Sequence, residues 1–279
     1  LSLHDALPIS GESRYITLAC DRPMKDNWAA NVSYTRGRST EAQSFGQTTA
    51  SGQWGANSVF NQNAIEEAHS DFEVPDRIQA TYTRSMEFKK GWKTTASVYY
   101  EGHSGNPFSY VYSTDLNGDG QSNNDLLAVP TDAADKRFDF SAMSAGDQAA
   151  YFAYLQKTGL SKFAGGVAPK NAFYQPWVSR LDLHFAQIIP IYKPAEVELF
   201  FDFINFGSFL SKDLFNYFEK APLNGNDVFW RVAAGGGAYG ADGRIRPTFS
   251  STAANLNSTF VFDNAQSRWR IQFDAKLKF

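Results

Sequence analysis

The chain has 279 residues, 43% of them hydrophobic, with 26 Lys and Arg against 29 Asp and Glu and a formal net charge of -3. That content excludes wholesale disorder, and the charge balance provides no basic footprint for nucleic acid. A single cysteine, Cys20, excludes an intrachain disulfide and the common multi-cysteine zinc motifs, and no apolar run reaches the length of a spanning helix; a spanning barrel, whose strands alternate, stays open.

In chain order, "LSLHDALPIS" (1 to 10) matches no later pattern, resembles a translated sequencing-adapter sequence and is assigned no function. "RYITLAC" (14 to 20) and "NWAANVSYTRG" (27 to 37) then form a hairpin joined by "DRPMKD". A second pair, "DRIQATYTRSMEF" (76 to 88) and "WKTTASVYYEG" (92 to 102), is joined by "KKG" and sets Ile78, Ala80, Tyr82, Ala96, Val98 and Tyr100 on one face. In the third, Leu181, Leu183 and Phe185 of "WVSRLDLHFAQI" (177 to 188) oppose Arg180, Asp182 and His184. Val197, Leu199, Phe201 and Phe203 of "EVELFFDFINF" (196 to 206) oppose Glu196, Glu198 and Asp202. The closing "SRWRIQFDAKLKF" alternates without exception, with Trp269, Ile271, Phe273, Ala275, Leu277 and Phe279 against Arg268, Arg270, Gln272, Asp274, Lys276 and Lys278. Period two over such a length exceeds the ordinary globular strand of about 5 or 6 residues and suits a tilted membrane crossing of about 9 to 11.

The intervening connections, at about 38 to 71, 103 to 175 and 207 to 266, are long and rich in Gly, Asn, Ser, Asp and Pro. Within them, 144 to 159 predicts one helix, capped by Ser144 and ended by Gly159, with Phe152 and Leu155 packing inside the loop. Residues 229 to 249 predict a hairpin with a glycine-rich tip, which is not a phosphate cradle because no helix start with Lys-Ser/Thr follows. Short turns at one end and long loops at the other give the expected fold class. It is all-β, a C-terminal segment of about seven strands of an antiparallel transmembrane β-barrel spanning 11 to 279, with long extracellular loops. Trp28, Trp92, Tyr100, Trp177 and Trp269, near strand ends, fit interfacial girdles.

"FSYVYSTDLNGDGQSNNDLLAVP", "YLQKTGLSK...KNAFYQPWVSRLDL", "ELFFDFINF" and the terminal "SRWRIQFDAKLKF" together resemble the Oar-like TonB-dependent receptors, in the C-terminal part of their barrel. "FAGGVAPKNA" departs from the Arg-Gly and Glu-Arg-Asn pattern usual before the Pro-Trp. The resemblance implies an outer-membrane barrel of about 22 strands with an N-terminal plug and TonB box outside this chain. It also implies contact with outer-membrane lipid and import or export of an unknown substrate on TonB-transmitted energy. Trp269, Ile271, Phe273, Leu277 and Phe279 resemble the signal read by the barrel-assembly machinery. The alternative class is a soluble secreted calcium-dependent adhesin or carbohydrate-binding module.

Asp115, Asn117 and Asp119 with Gly120 match the first half of an EF-hand loop, whereas Leu126 stands where the closing Glu belongs and Asp125 is one place early. Asp115, Asn117, Asp119 and Asp125 are therefore either a weak Ca2+ site or a solvated Asx-rich turn. No enzymatic activity is expected: His4, His69, His103 and His184 have no ligand spacing, and no nucleophile and base stand together. His184 reads as a lumen-facing solvated imidazole rather than a catalytic base. Glu196, Glu198 and Asp202 share one face, as paired acids do, and also read as ordinary lumen charge. Trp54, Phe108, Tyr110, Phe229 and Trp230 read as packed loop aromatics rather than rings stacked on a ligand.

Overall fold

The computed structural model describes residues 11–64, 66–211, 215, 219–221, 227–229, 242–249 and 260–279. Seven long strands form one antiparallel sheet in chain order: β1 (Gly11–Lys25), β2 (Trp28–Glu41), β3 (Asp76–Lys89), β4 (Trp92–His103), β5 (Val178–Tyr192), β6 (Ala195–Ile204) and β7 (Arg270–Lys278). Ala68–His69 adds a short pairing to the end of β2. The sheet is open, with β1 and β7 as its two edges.

The strands exceed their expected bounds at the turns, which shrink to two residues each. Lys25 pairs with Trp28, Lys89 with Trp92 and Tyr192 with Ala195, and a register shift precedes each turn. The first turn holds Asp26 and Asn27 at φ of 55° and 66°, a conformation that Asx side chains tolerate; in the second, Gly91 takes φ of 83°. "DRPMKD" is thus mostly strand, with Pro23 admitted because β1 is an edge and the ladder is irregular there.

All strand junctions keep the same phase. Across the sheet, Leu18 faces Tyr34, which faces Ile78; Val32 faces Ala80, which faces Tyr100, which faces Leu181. Further on, Phe185 faces Phe201, which faces Phe273. One face of the sheet is therefore apolar from edge to edge. The other carries rows such as Thr17, Thr35 and Arg77 in β1 to β3, and His184, Asp202 and Gln272 in β5 to β7.

The buried core lies elsewhere. Phe108, Tyr110, Tyr112, Leu127, Phe138, Tyr151, Leu155, Leu160 and Phe249 pack together, all from the connections rather than the long strands. The helix Ala145–Thr158 is built as expected: Ser144 Oγ accepts from the Asp147 N–H, and Gly159 ends it at φ of 79°. Leu155 is buried. Two further α-helices among the described residues were not expected. Ala50–Ala56 starts where Thr49 accepts from the Gly52 N–H, and Phe206–Leu210 starts because Asn205, at φ of 57°, breaks β6. The glycine tip of the expected hairpin at 229 to 249, and Trp230, lie outside the described residues, as do residues 1 to 10 with His4. Of the hairpin's ends, Asp227–Phe229 runs parallel to Tyr110–Tyr112, and Ile245 bridges Phe138.

Candidate functional site

Two surfaces stand out: the uncovered apolar face of the sheet and a cluster of carboxylates in the loop module. On the first, Ile16 is 73% exposed, Phe273 65% and Val32 50%. No second sheet or helix layer covers this band among the described residues. At about 25 cal/mol per Å2, leaving such a band in water forfeits the main driving force for folding, so the band calls for an apolar partner. Rings collect at both ends of the band. Arg22 lies 3.8 Å over the Trp28 ring near the short turns, while Trp269, Phe203 and Phe209 pack with centroids 5.6 to 5.7 Å apart at the loop end. Phe279 is 90% exposed, and Ile271 and Leu277 share the apolar face of the edge strand.

Several charges on the opposite face are paired within it. His184 Nδ1 meets Asp202 Oδ1 at 2.5 Å, and Lys278 Nζ reaches Glu198 at 2.8 Å and Glu196 at 3.3 Å. His184 is thus hydrogen-bonded to Asp202 rather than simply solvated, and Glu196 and Glu198 share a lysine.

In the loop module, Tyr110–Tyr112 and Asp125–Leu126 pair as a small hairpin, and residues 113 to 124 form its connection. Asp115 accepts from the N–H groups of Gly118, Asp119 and Gly120, which coils the connection around its carboxylate. Asn117 Oδ1 accepts from the Asp119 N–H, and Gly118 and Gly120 take positive φ to allow the coil. One oxygen each of Asp115, Asp119 and Asp125 lie within 4.8 Å of one another. The spiral therefore does bring together three of the four residues singled out from sequence, and Asn117 braces it.

Asp125 is wholly buried; one oxygen accepts from the Leu116 and Asn117 N–H groups, while Oδ1 has no hydrogen-bond partner among the described residues. Burial pushes its carboxyl up to about 6, against the two N–H bonds and with help from the Asp119 and Asp115 charges. For Asp119 burial also pulls upward, yet hydrogen bonds from Gln62, the Gln121 N–H, Asn117 and Asn124 hold it below the usual carboxylate range. The sequence reading missed Asn124 and Gln62. Asn124 Nδ2 donates to Asp119, while its own buried Oδ1 has no partner among the described residues, nor do the buried hydroxyls of Ser113 and Thr114.

Pairing from a distant segment explains the misplaced closing acid. Val59 N–H donates to Asn124 O at 2.9 Å, and Leu126 N–H donates to Val59 O at 3.1 Å, so the β2–β3 connection fixes where Asp125 points. Beside it a cleft of about 420 Å3 is lined by Trp54, Phe60, Gln62 and Asp119, and a second of about 340 Å3 by Val59, Phe60, Leu126 and Lys170. Trp54 is exposed there, whereas Phe108 and Tyr110 are core residues; the side chain of Phe229 lies outside the described set. His69 pairs with buried Glu73 at 2.6 Å, which Tyr174 also reaches at 2.6 Å, and His103 bonds the Ser104 carbonyl at 2.8 Å, so neither joins the carboxylates.

No curated protein and no solved structure matches the chain. A family model described as an outer membrane beta barrel domain matches residues 11–207, which takes in β1 to β6 and the first two long connections. The chain therefore belongs to the outer membrane beta barrel domain family, and its location is the bacterial outer membrane.

Proposed function

We propose that this chain is the C-terminal part of the barrel of a TonB-dependent receptor of the Oar-like type, and that it binds substrate rather than catalysing a reaction. The observation that carries this reading is the placement of the buried core. The long connections fold into a module with an aromatic core and two clefts, all at one end of a sheet whose other end has two-residue turns. Simple pores do not need a loop module with its own core, whereas a receptor needs one to position a ligand at the external mouth. The open edges of β1 and β7 call for further strands, because unpaired backbone N–H and C=O groups in hydrocarbon cost several kcal/mol each. Large barrels of this kind enclose a plug, and energy delivered to that plug by TonB would drive import or export of the substrate. The terminal residues Trp269 to Phe279 would serve the barrel-assembly machinery during insertion. A soluble adhesin or carbohydrate-binding module, by contrast, needs a second layer over the apolar band, and the described residues provide none.

The test is copurification. The intact protein, extracted from outer membranes in detergent, is expected to retain the periplasmic domain of TonB in a pull-down. Failure to retain it, with the barrel folded, would remove the TonB-coupled reading and leave an outer-membrane barrel of another activity.

A further inference from the structure

We propose that the connection between Tyr112 and Asp125 is a Ca2+ site that locks the β2–β3 and β4–β5 connections together. The argument stands independently of the receptor reading. Three carboxylates converge within 4.8 Å, and two of the residues there are buried with an oxygen that nothing among the described residues satisfies: Asp125 Oδ1, on a residue 0% exposed, and Asn124 Oδ1, on a residue 1% exposed. Asn124 is not an acid and owes nothing to the count of charges. Its Nδ2 donates to Asp119 at 3.3 Å, so this buried amide adjoins the carboxylates. A buried carboxylate oxygen without a donor is costly, and like charges at this separation add to the cost; a cation removes both penalties at once.

The donor set selects the ion. Every candidate ligand is a hard oxygen, with no thiol or imidazole in the cluster, which disfavours zinc and copper. The oxygens come from Asx side chains spaced along a coiled connection rather than from a rigid octahedron, and Ca2+ tolerates irregular shells of about 6 to 8 oxygens where Mg2+ does not. Asp115 supplies the first carboxylate with its three N–H bonds already made, so little backbone has to reorganise when an ion arrives. Gln62 Nε2 donates to Asp119 at 2.7 Å, and Val59 bridges Asp125, so the ion's ligands are also the contacts that hold residues 59 to 62 in place.

The experiment uses the intact protein in detergent micelles, stripped with EDTA and titrated with Tb3+ and with Ca2+. A saturable site displaced by Ca2+ in the range of about 10⁻⁴ to 10⁻³ M, and not by equal Mg2+, is expected. Asp119→Asn and Asp125→Asn should each lower uptake by one ion per chain, while Asp274→Asn on β7 leaves it unchanged. In the unmodified protein, Ca2+ should also slow chymotryptic cleavage at Trp54, a readout that does not depend on any variant folding. Absence of saturable uptake by the unmodified protein overturns the proposal. So does uptake that persists in both variants, or cleavage at Trp54 indifferent to Ca2+.

Discussion

Asp139 ties two long connections to each other: its N–H donates to Ile245 O at 2.8 Å, and its carboxylate accepts from Arg246 Nε at 2.8 Å. The hydroxyl and N–H of Ser141, then Arg246 and Arg244, hold that carboxyl down at about 2. Asp135 is likewise held below the usual carboxylate range, first by its hydrogen bonds from Arg137, whose guanidinium also donates to Gly165 O and Val129 O. A folded-state pKa below the unfolded value of about 3.9 means that the stabilisation is complete above about pH 4 and is lost as pH falls toward 2. Amide exchange should report this directly. The Ile245 N–H, bonded to Arg137 O at 2.9 Å, should lose protection over that window, and Asp139→Asn should weaken it already at pH 7. Protection that holds unchanged to pH 2 would count against the role given to these carboxylates.

At the scale of the elements, parity decides which substitutions the sheet accepts. Phe273 sits on the apolar face opposite Phe201, while Gln272 beside it sits on the polar face opposite Asp202. Lysine on a lipid face near the midplane costs roughly 2 to 4 kcal/mol, so Phe273→Lys should lower stability by about that much in folding titrations into liposomes, and Gln272→Lys by far less. Equal costs would mean that hydrocarbon does not touch this face. The same period of two made all seven strands legible from sequence, since a slip of one residue moves every apolar side chain to the wrong face. The turns were less legible. Pro23 and Met24 carry no turn signal beyond a proline, and strand β1 runs through them only because it is an edge with an irregular ladder. The helix Ala50–Ala56 has a single side-chain cap and no buried residue, so it leaves no apolar period to detect.

The whole molecule keeps two solvents apart, and only one of its halves announces itself in the sequence. The sheet is written as local alternation. The loop module is assembled from segments far apart in the chain, such as Val59 on Asp125, Phe138 on Ile245 and Lys170 on Asn57, and such pairings have no local period to read. Hence the acids at 115, 119 and 125 were legible as a group while the buried Asn124 oxygen and the Gln62 brace were not. This division also fixes what each end should meet in a living cell. Asp132 is exposed on the loop module, Lys90 is exposed in a two-residue turn, and Cys20 stands on the apolar band, facing Val32. With short turns on the periplasmic side, Asp132→Cys should react with a membrane-impermeant maleimide on intact cells, and Lys90→Cys only after the outer membrane is permeabilised. The native Cys20, surrounded by lipid, should react in neither case until detergent or denaturant strips the bilayer away. Labelling of Lys90→Cys on intact cells would invert the orientation, and ready labelling of Cys20 there would put water, instead of hydrocarbon, against the band.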